Sequence, residues 1–306
     1  MHAVFLGTPA TAVASLSALA DVIDVSCVIT RPDAARGRSK QLVPSPVKEA
    51  ALEWGFPVAQ PATNEELAAV LAALEPSVGL VVAYGRILKP EVIEIPYRGF
   101  VNVHFSLLPR WRGAAPVTRA LLAGDTKTGV SLMQIDEGLD SGPILARVET
   151  PIAADETGGS LTARLAHLGS LMVDDILPAF LRGEVHGAPQ IDSAVTHAAR
   201  LTKAEAQVHP GTTADLFARS VRGYHPRPGA WMVVDGSHIK IHDCVVASED
   251  ADRGRVVPGS ENQILLGCAA GAVELITVQP PGKRRMSAAD WLRGMHGREV
   301  IVEERT

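Results

Sequence analysis

Phe100-Val101-Asn102-Val103-His104-Phe105-Ser106-Leu107-Leu108-Pro109 is the stretch on which the fold turns. From Val101 to Ser106 the apolar residues hold one parity and the polar residues the other, the period-2 pattern of a β-strand. Asn102, His104 and Ser106 are therefore expected on one face. Strands of a parallel sheet covered by helices are usually apolar on both faces. A polar stripe on such a strand is costly unless something uses it. An amide donor beside an imidazole, with a carboxylate available to orient it, suits acyl-group chemistry.

Working outward, strand-like and helix-like segments alternate through the first half. Val4-Phe5-Leu6 is a short apolar strand leading into Gly7-Thr8-Pro9, followed by an Ala- and Leu-rich helical stretch over residues 10–20. Val25–Ile29 and Val78–Ala83 read as buried strands. Pro46–Trp54 opens with proline at a helix N-terminus and stops before Gly55. Asn64 is the expected N-cap of a further helix. Thr128–Ile135 and Pro143–Val148 read as two more strands, and Gly158–Leu181 as a long helix ended by Gly183. The alternation predicts an α/β fold with a doubly wound, mostly parallel, Rossmann-like sheet, and with ligands at the carboxyl ends of its strands. Gly7-Thr8-Pro9 lacks the later glycines of a dinucleotide fingerprint, so nicotinamide or flavin binding is poorly supported.

Periodicity weakens between Glu184 and Gln207. Beyond it come one helix, Thr212–Arg222, and short strands separated by Gly and Pro turns: Trp231–Val234, His238–Val246, Arg255–Val257, Gln263–Leu266 and Val273–Val278. That spacing predicts a small barrel or sandwich, here taken as a smaller C-terminal OB-like β-barrel. The expected division is a catalytic domain over 1–189, a linker over 190–207 and the C-terminal domain over 208–306.

At 306 residues the chain is long enough for those two domains. Hydrophobic residues at 46% and charged residues at 21% suit a folded enzyme and exclude a disordered chain. Aromatics are only 4%, so the core should be aliphatic. Cys27, Cys244 and Cys268 are too few and too scattered for a disulfide framework or a structural zinc site. No apolar run approaches a membrane span and no basic leader precedes one, so a cytoplasmic location is expected. The net charge of −5 does not itself announce nucleic-acid binding. The negative excess nevertheless lies before residue 197, and the His- and Arg-containing remainder is close to neutral, a weak pointer to an anionic partner.

His104 is the residue able to titrate near neutral pH. Its acidic partner is less determined: Asp136, Glu137 and Asp140 share the turn-rich run Asp136–Gly142, and spacing alone does not choose among them. Thr30–Pro46 is a long loop punctuated by Pro and Gly, with Arg31, Arg36, Arg38 and Lys40 able to contact phosphates. Arg110 and Arg112 add cations beside the strand, either to steady an anionic substrate or to anchor the loop. Pro280–Met286, carrying Lys283, Arg284 and Arg285, is a second basic turn. His238 and His242 straddle Lys240 without an evident third metal ligand.

With these residues laid out, the chain resembles the methionyl-tRNA formyltransferase family over nearly its whole length. The resemblance is carried by Gly7-Thr8-Pro9, Gly37-Arg38-Ser39-Lys40, Val82–Gly85, Asn102–Pro116, Gly129–Gly142 and Gln279–Ser287. The Asn-x-His pair with a downstream Asp belongs to the wider folate-dependent formyltransferases, and Ser106–Gly113 narrows the choice. The resemblance implies formyl transfer from 10-formyltetrahydrofolate to the α-amino group of methionyl initiator tRNA. Asn102, His104 and Asp140 match the catalytic positions, and Ser106, Leu107, Leu108 and Pro109 the folate-contacting segment. Arg38 matches the tRNA-contacting loop, to which Arg36 and Lys40 are added, with Lys283 and Arg284 from the second basic turn. The run Asp33-Ala34-Ala35-Arg36 departs from other members of the family. Neither a metal nor a covalent nucleophile is called for, and a monomer is expected. Two other readings compete: a folate-dependent formyltransferase or formyl-folate hydrolase acting on a small molecule such as an amino sugar nucleotide, and a non-catalytic tRNA-binding module. A glycinamide ribonucleotide transformylase fits less well, because the first turn is not a Gly-rich phosphate cradle.

Overall fold

The computed structural model describes residues 1–35 and 41–304. The chain forms two compact units, and the first is assembled from three pieces: Met1–Pro116, Lys127–Pro151 and Thr162–Ala198. Val117–Thr126 and Ile152–Leu161 belong to the second unit with Ala199 and all that follows. Leu122 packs on the buried cluster around Phe217.

Seven strands make the sheet of the first unit: β1 His2–Gly7, β2 Asp24–Ile29, β3 Val58–Ala59, β4 Val78–Val82, β5 Phe100–His104, β6 Lys127–Gln134 and β7 Ile144–Pro151. Their order is β7-β6-β5-β4-β1-β2-β3. The five strands from β5 to β3 run parallel, while β6 is antiparallel to β5 and β7 to β6. β1 has β2 on one side and β4 on the other, so the chain reverses its direction of winding there. The crevice outside the carboxyl ends of β1 and β4 is where such sheets bind ligands.

Buried runs explain the strand assignments. Ala3 to Leu6 and Val78 to Val82 are sequestered on both faces, as parallel strands between helices must be. Helices α1 (Val13–Val22), α2 (Pro46–Glu53) and α3 (Asn64–Leu74) connect them. Pro46 opens α2 as expected, with the Ser45 hydroxyl accepting from the Lys48 N–H. At α3 the cap is Thr63, whose side chain accepts from Glu66 N–H, and Asn64 is the first helical residue. A Thr at the cap followed by Glu at the third position is the stronger signature. Leu67 and Leu71 face a core with Val4, Leu6, Ile29, Val81 and Phe100. Cys27 lies in the same cluster, a buried strand thiol as expected.

Helices α4 (Pro116–Ala123) and α5 (Gly158–Arg182) follow, the latter ended by Gly183 at a φ of +78°. No helix among the described residues is long and apolar enough to cross a membrane.

The second unit carries α6 (Ala214–Tyr224), capped by the Thr213 hydroxyl, and an antiparallel sheet. Its strands are β8 Trp231–Val234, β9 Ser237–Val246, β10 Arg255–Pro258, β11 Ile264–Gly267, β12 Ala272–Gln279, β13 Met286–Ser287 and β14 Val300–Ile301. They order as β8-β9-β12-β11-β10-β14, with β13 on β12. A bridge between Val234 and Val302 brings the two ends together, so the sheet is a nearly closed barrel. Met232, Ile241, Leu266, Val273 and Val278 fill its interior with Phe217 and Val221 of α6. The last helix is α7, Ala288–Arg293.

Candidate active site

β5 ends at His104, earlier than the sequence alternation suggests. Val101 and Val103 are buried beneath the sheet's helices, which leaves Asn102 and His104 on the other face. Asn102 is half-buried, and its carboxamide makes no hydrogen bond among the described residues. His104 is only 6% exposed, yet both ring nitrogens face a neighbour. Nε2 lies 2.9 Å from the Trp111 carbonyl oxygen, and since a carbonyl only accepts, Nε2–H is the donor. Nδ1 lies 3.6 Å from Asp140 Oδ2, an ion-pair distance that is too long for a hydrogen bond.

Of the acids in that turn, Asp140 is the one that approaches His104. Asp136 turns to its own loop, its Oδ1 accepting from Gly138 N–H and the Ser141 hydroxyl. Asp140, in the connection from β6 to β7, reaches back over β5. The same Asp140 oxygen accepts from the Gly113 N–H at 2.7 Å.

Both partners of His104 sit on left-handed backbone. Trp111 has a φ of +64° and Asp140 a φ of +50°. Such conformations at residues other than glycine cost on the order of 1–3 kcal/mol and persist where surroundings over-determine them. Gly113 has a φ of +121°, and a β-carbon there would meet the Ala198 carbonyl oxygen at 2.7 Å. Gly142 is constrained by space alone: a β-carbon there would collide with the Gln134 carbonyl oxygen.

The segment read as a linker supplies much of this enclosure. His197–Ala198 pairs in parallel with Arg112–Gly113. Trp111 N–H donates to Thr196 Oγ1 at 2.8 Å, and Arg112 N–H to the Thr196 carbonyl at 2.9 Å. Gln190 Nε2 donates to the carbonyls of Asp140 and Gly142, and its Oε1 accepts from Arg112 Nε. The sequence gives no periodic pattern here, so none of these residues was anticipated. Of the two arginines considered for an anionic substrate, Arg112 is engaged in anchoring and Arg110 lies over the Trp111 ring, 4.4 Å from its centroid.

Ser106, expected beside Asn102 and His104, is instead fully buried beyond the strand end. Its hydroxyl donates to the Arg110 carbonyl, and its own carbonyl accepts from Ser131 Oγ. Leu108 is also fully buried, with its N–H on Ser131 Oγ and its carbonyl held by Arg147. These two side chains shape the turn from inside, while Leu107 and Pro109 keep partial exposure.

Arg36, Arg38 and Lys40 lie outside the described residues. On either side of them Ala34–Ala35 pairs with Leu42–Val43. Lys48 Nζ donates to Asp33 Oδ2 at 2.7 Å, and this bond, with a second from Gln60, holds the Asp33 carboxyl below its usual range. In the second unit Lys283 and Arg284 are exposed on the turn after β12, where Gln279 donates to the Lys283 carbonyl. Cations on such a turn are available to an anionic partner.

Comparison with known proteins shows what the chain is similar to. Residues 1–177 match the formyl transferase family model, and residues 200–296 match the formyl transferase C-terminal domain. A methionyl-tRNA formyltransferase of Halorhodospira halophila is 45% identical over 95% of this chain and 95% of its own length. One from Marinobacter nauticus is 38% identical over 99% and 98%, respectively. Among solved structures, an N-formyltransferase of Helicobacter canadensis, in complex with folinic acid and dTDP-3-aminofucose, superposes with a TM-score of 0.69. At 17% identity, covering 91% of this chain and 98% of that one, it supports the fold alone. An Asn-x-His strand, an aspartate folded back onto it and a barrel-bearing second unit, together with identity of this extent, place the chain in the methionyl-tRNA formyltransferase family.

Proposed function

We propose that this chain transfers the formyl group of 10-formyltetrahydrofolate to the α-amino group of methionine esterified to initiator tRNA, with Asn102, His104 and Asp140 as its catalytic residues. The observation that carries the reading is the approach of Asp140 to 3.6 Å from His104 Nδ1, beside the Asn102 side-chain amide on the same strand, which has no hydrogen-bond partner among the described residues. An amide left without a partner at the rim of a buried site is suited to a ligand oxygen.

In the proposed step the neutral amine forms a bond to the formyl carbon, and negative charge collects on the formyl oxygen. Asn102 donates to that oxygen. His104 Nε2–H exchanges the Trp111 carbonyl for the same oxygen, a better acceptor because it carries charge. One such donor is worth about 3–4 kcal/mol of barrier. Asp140 orients the ring from its Nδ1 side. The bond from the formyl carbon to the folate nitrogen then breaks. The amine gives up one proton and the folate nitrogen takes one up, by way of His104, Asp140 or water.

The folate is assigned to the segment Ser106–Pro109, through its backbone and the exposed parts of Leu107 and Pro109. The tRNA is assigned to Arg36, Arg38 and Lys40 with Lys283 and Arg284, on domains spanning 1–189 and 208–306. The enzyme is taken to act as a cytoplasmic monomer in translation initiation. The test is to incubate the purified chain with 10-formyltetrahydrofolate and charged initiator tRNA, free methionine or an amino sugar nucleotide, and to follow formyl-amide formation. Product on charged tRNA alone is expected. Product on the sugar nucleotide instead, or none at all, overturns the reading.

A further inference from the structure

We propose that Gln190 is a positioning residue for formyl transfer, setting the place of the Asp140 carboxylate against His104. The claim rests on the functional reading above. It starts from a distance: at 3.6 Å, His104 does not itself hold Asp140 by a hydrogen bond. The position of that carboxylate must therefore be fixed from elsewhere. Its side chain is held by the Gly113 N–H. Its main chain is held by Gln190, whose Nε2 donates to the Asp140 carbonyl at 2.8 Å and to the Gly142 carbonyl at 2.9 Å.

Gln190 also couples the two loops that bracket the imidazole. Its Oε1 accepts from Arg112 Nε at 2.9 Å, and Arg112 lies between Trp111, the partner of His104 Nε2, and Gly113, the partner of Asp140. One carboxamide thus uses both of its donor hydrogens on the backbone of Asp140–Gly142 and its acceptor on the Arg112 side chain, between Trp111 and Gly113. Asp140 at a φ of +50° relaxes readily once its carbonyl is released. A displacement near 1 Å at a reacting geometry is enough to cost on the order of 10²-fold in rate. Thr196 adds the neighbouring restraint by accepting from Trp111 N–H.

The test uses Gln190→Met, which keeps length but neither donates nor accepts comparably, and Gln190→Glu, which keeps the acceptor for Arg112 and loses both donors. Turnover should fall at least tenfold in both, with KM for tRNA and formyl donor within about twofold of wild type. In an Asp140→Asn background the Gln190→Met loss should largely disappear, because the two residues act on one interaction. The His104 ring ¹⁵N resonances, identified by their absence in His104→Ala, should shift in both Gln190 variants. Thr196→Val serves if neither variant folds, and should show the same pattern through Trp111. Unchanged His104 resonances with normal turnover, or a loss that is fully additive with Asp140→Asn, overturn the proposal. If the wild-type chain forms no formyl-amide, the functional reading falls, and the resonances still decide whether Gln190 sets the geometry of the pair.

Discussion

The Trp111 carbonyl and the His104 imidazole are 2.9 Å apart, and this contact consumes the ring hydrogen that faces away from Asp140. The imidazole is thus held from both sides, by a carbonyl on one nitrogen and a carboxylate near the other. Replacing Asp140 by Asn keeps the shape and removes the charge. Turnover of Asp140→Asn should fall on the order of 10²-fold or more, with far-UV circular dichroism unchanged. Steady-state formylation measures it, and a loss below about threefold would exclude Asp140 from the step.

Gly113→Ala should damage both stability and rate. The added β-carbon meets the Ala198 carbonyl at 2.7 Å in a backbone conformation at a φ of +121°. Relief of that contact parts Arg112–Gly113 from His197–Ala198 and withdraws the N–H from Asp140. A destabilisation of about 1–3 kcal/mol in urea unfolding is expected, together with lower turnover. A fully stable, fully active variant would show that the strand pairing does not govern the site.

The buried thiols predict a dependence on alkaline pH. Burial pushes Cys244 up to about 12 and Cys268 up to about 11, and it raises Cys27 as well. An unfolded thiol loses its proton near pH 8.5. Because the folded values are raised, the stability tied to the protonated thiols is complete below that pH and is lost as pH rises toward 11–12. Native protein at pH 8.5 should react slowly with a thiol reagent, and three thiols should titrate on denaturation. Cys244→Ala should flatten the decline in stability above pH 9. Rapid modification of native Cys244 would contradict its burial.

Contacts to tRNA phosphates would make recognition sensitive to salt. KM for charged tRNA should rise at least tenfold between about 50 and 200 mM salt, while KM for the formyl donor changes little. Lys283→Ala and Arg284→Ala should each weaken tRNA binding and reduce the slope. Equal salt dependence for the two substrates would argue against phosphate contacts by this turn.

Much of this was readable from residue pattern because its physics is local. Buried parallel strands must be apolar throughout, so Val78–Val82 declares itself, and a proline marks the start of α2 at Pro46. Asn102 and His104 stood out because polar residues on such a strand need a reason. The acid did not: three candidates in one turn differ only in how the loop folds, and Asp140 adopts a left-handed conformation that its residue type does not announce. Ser106 was misread because alternation was extended past the true strand end at His104. The stretch from Gln190 to Ala198 looked like a linker because its bonds go to distant loops, which leaves no periodic trace in sequence.

Single-turnover formylation of methionyl-tRNA by His104→Ala and Asn102→Ala, with enzyme in excess over tRNA, isolates the chemical step. Each variant should be slowed more than about 10²-fold while still binding tRNA, because each loses a donor to the developing oxyanion. Near-normal single-turnover rates in either variant would contradict the assignment of that residue to the reaction.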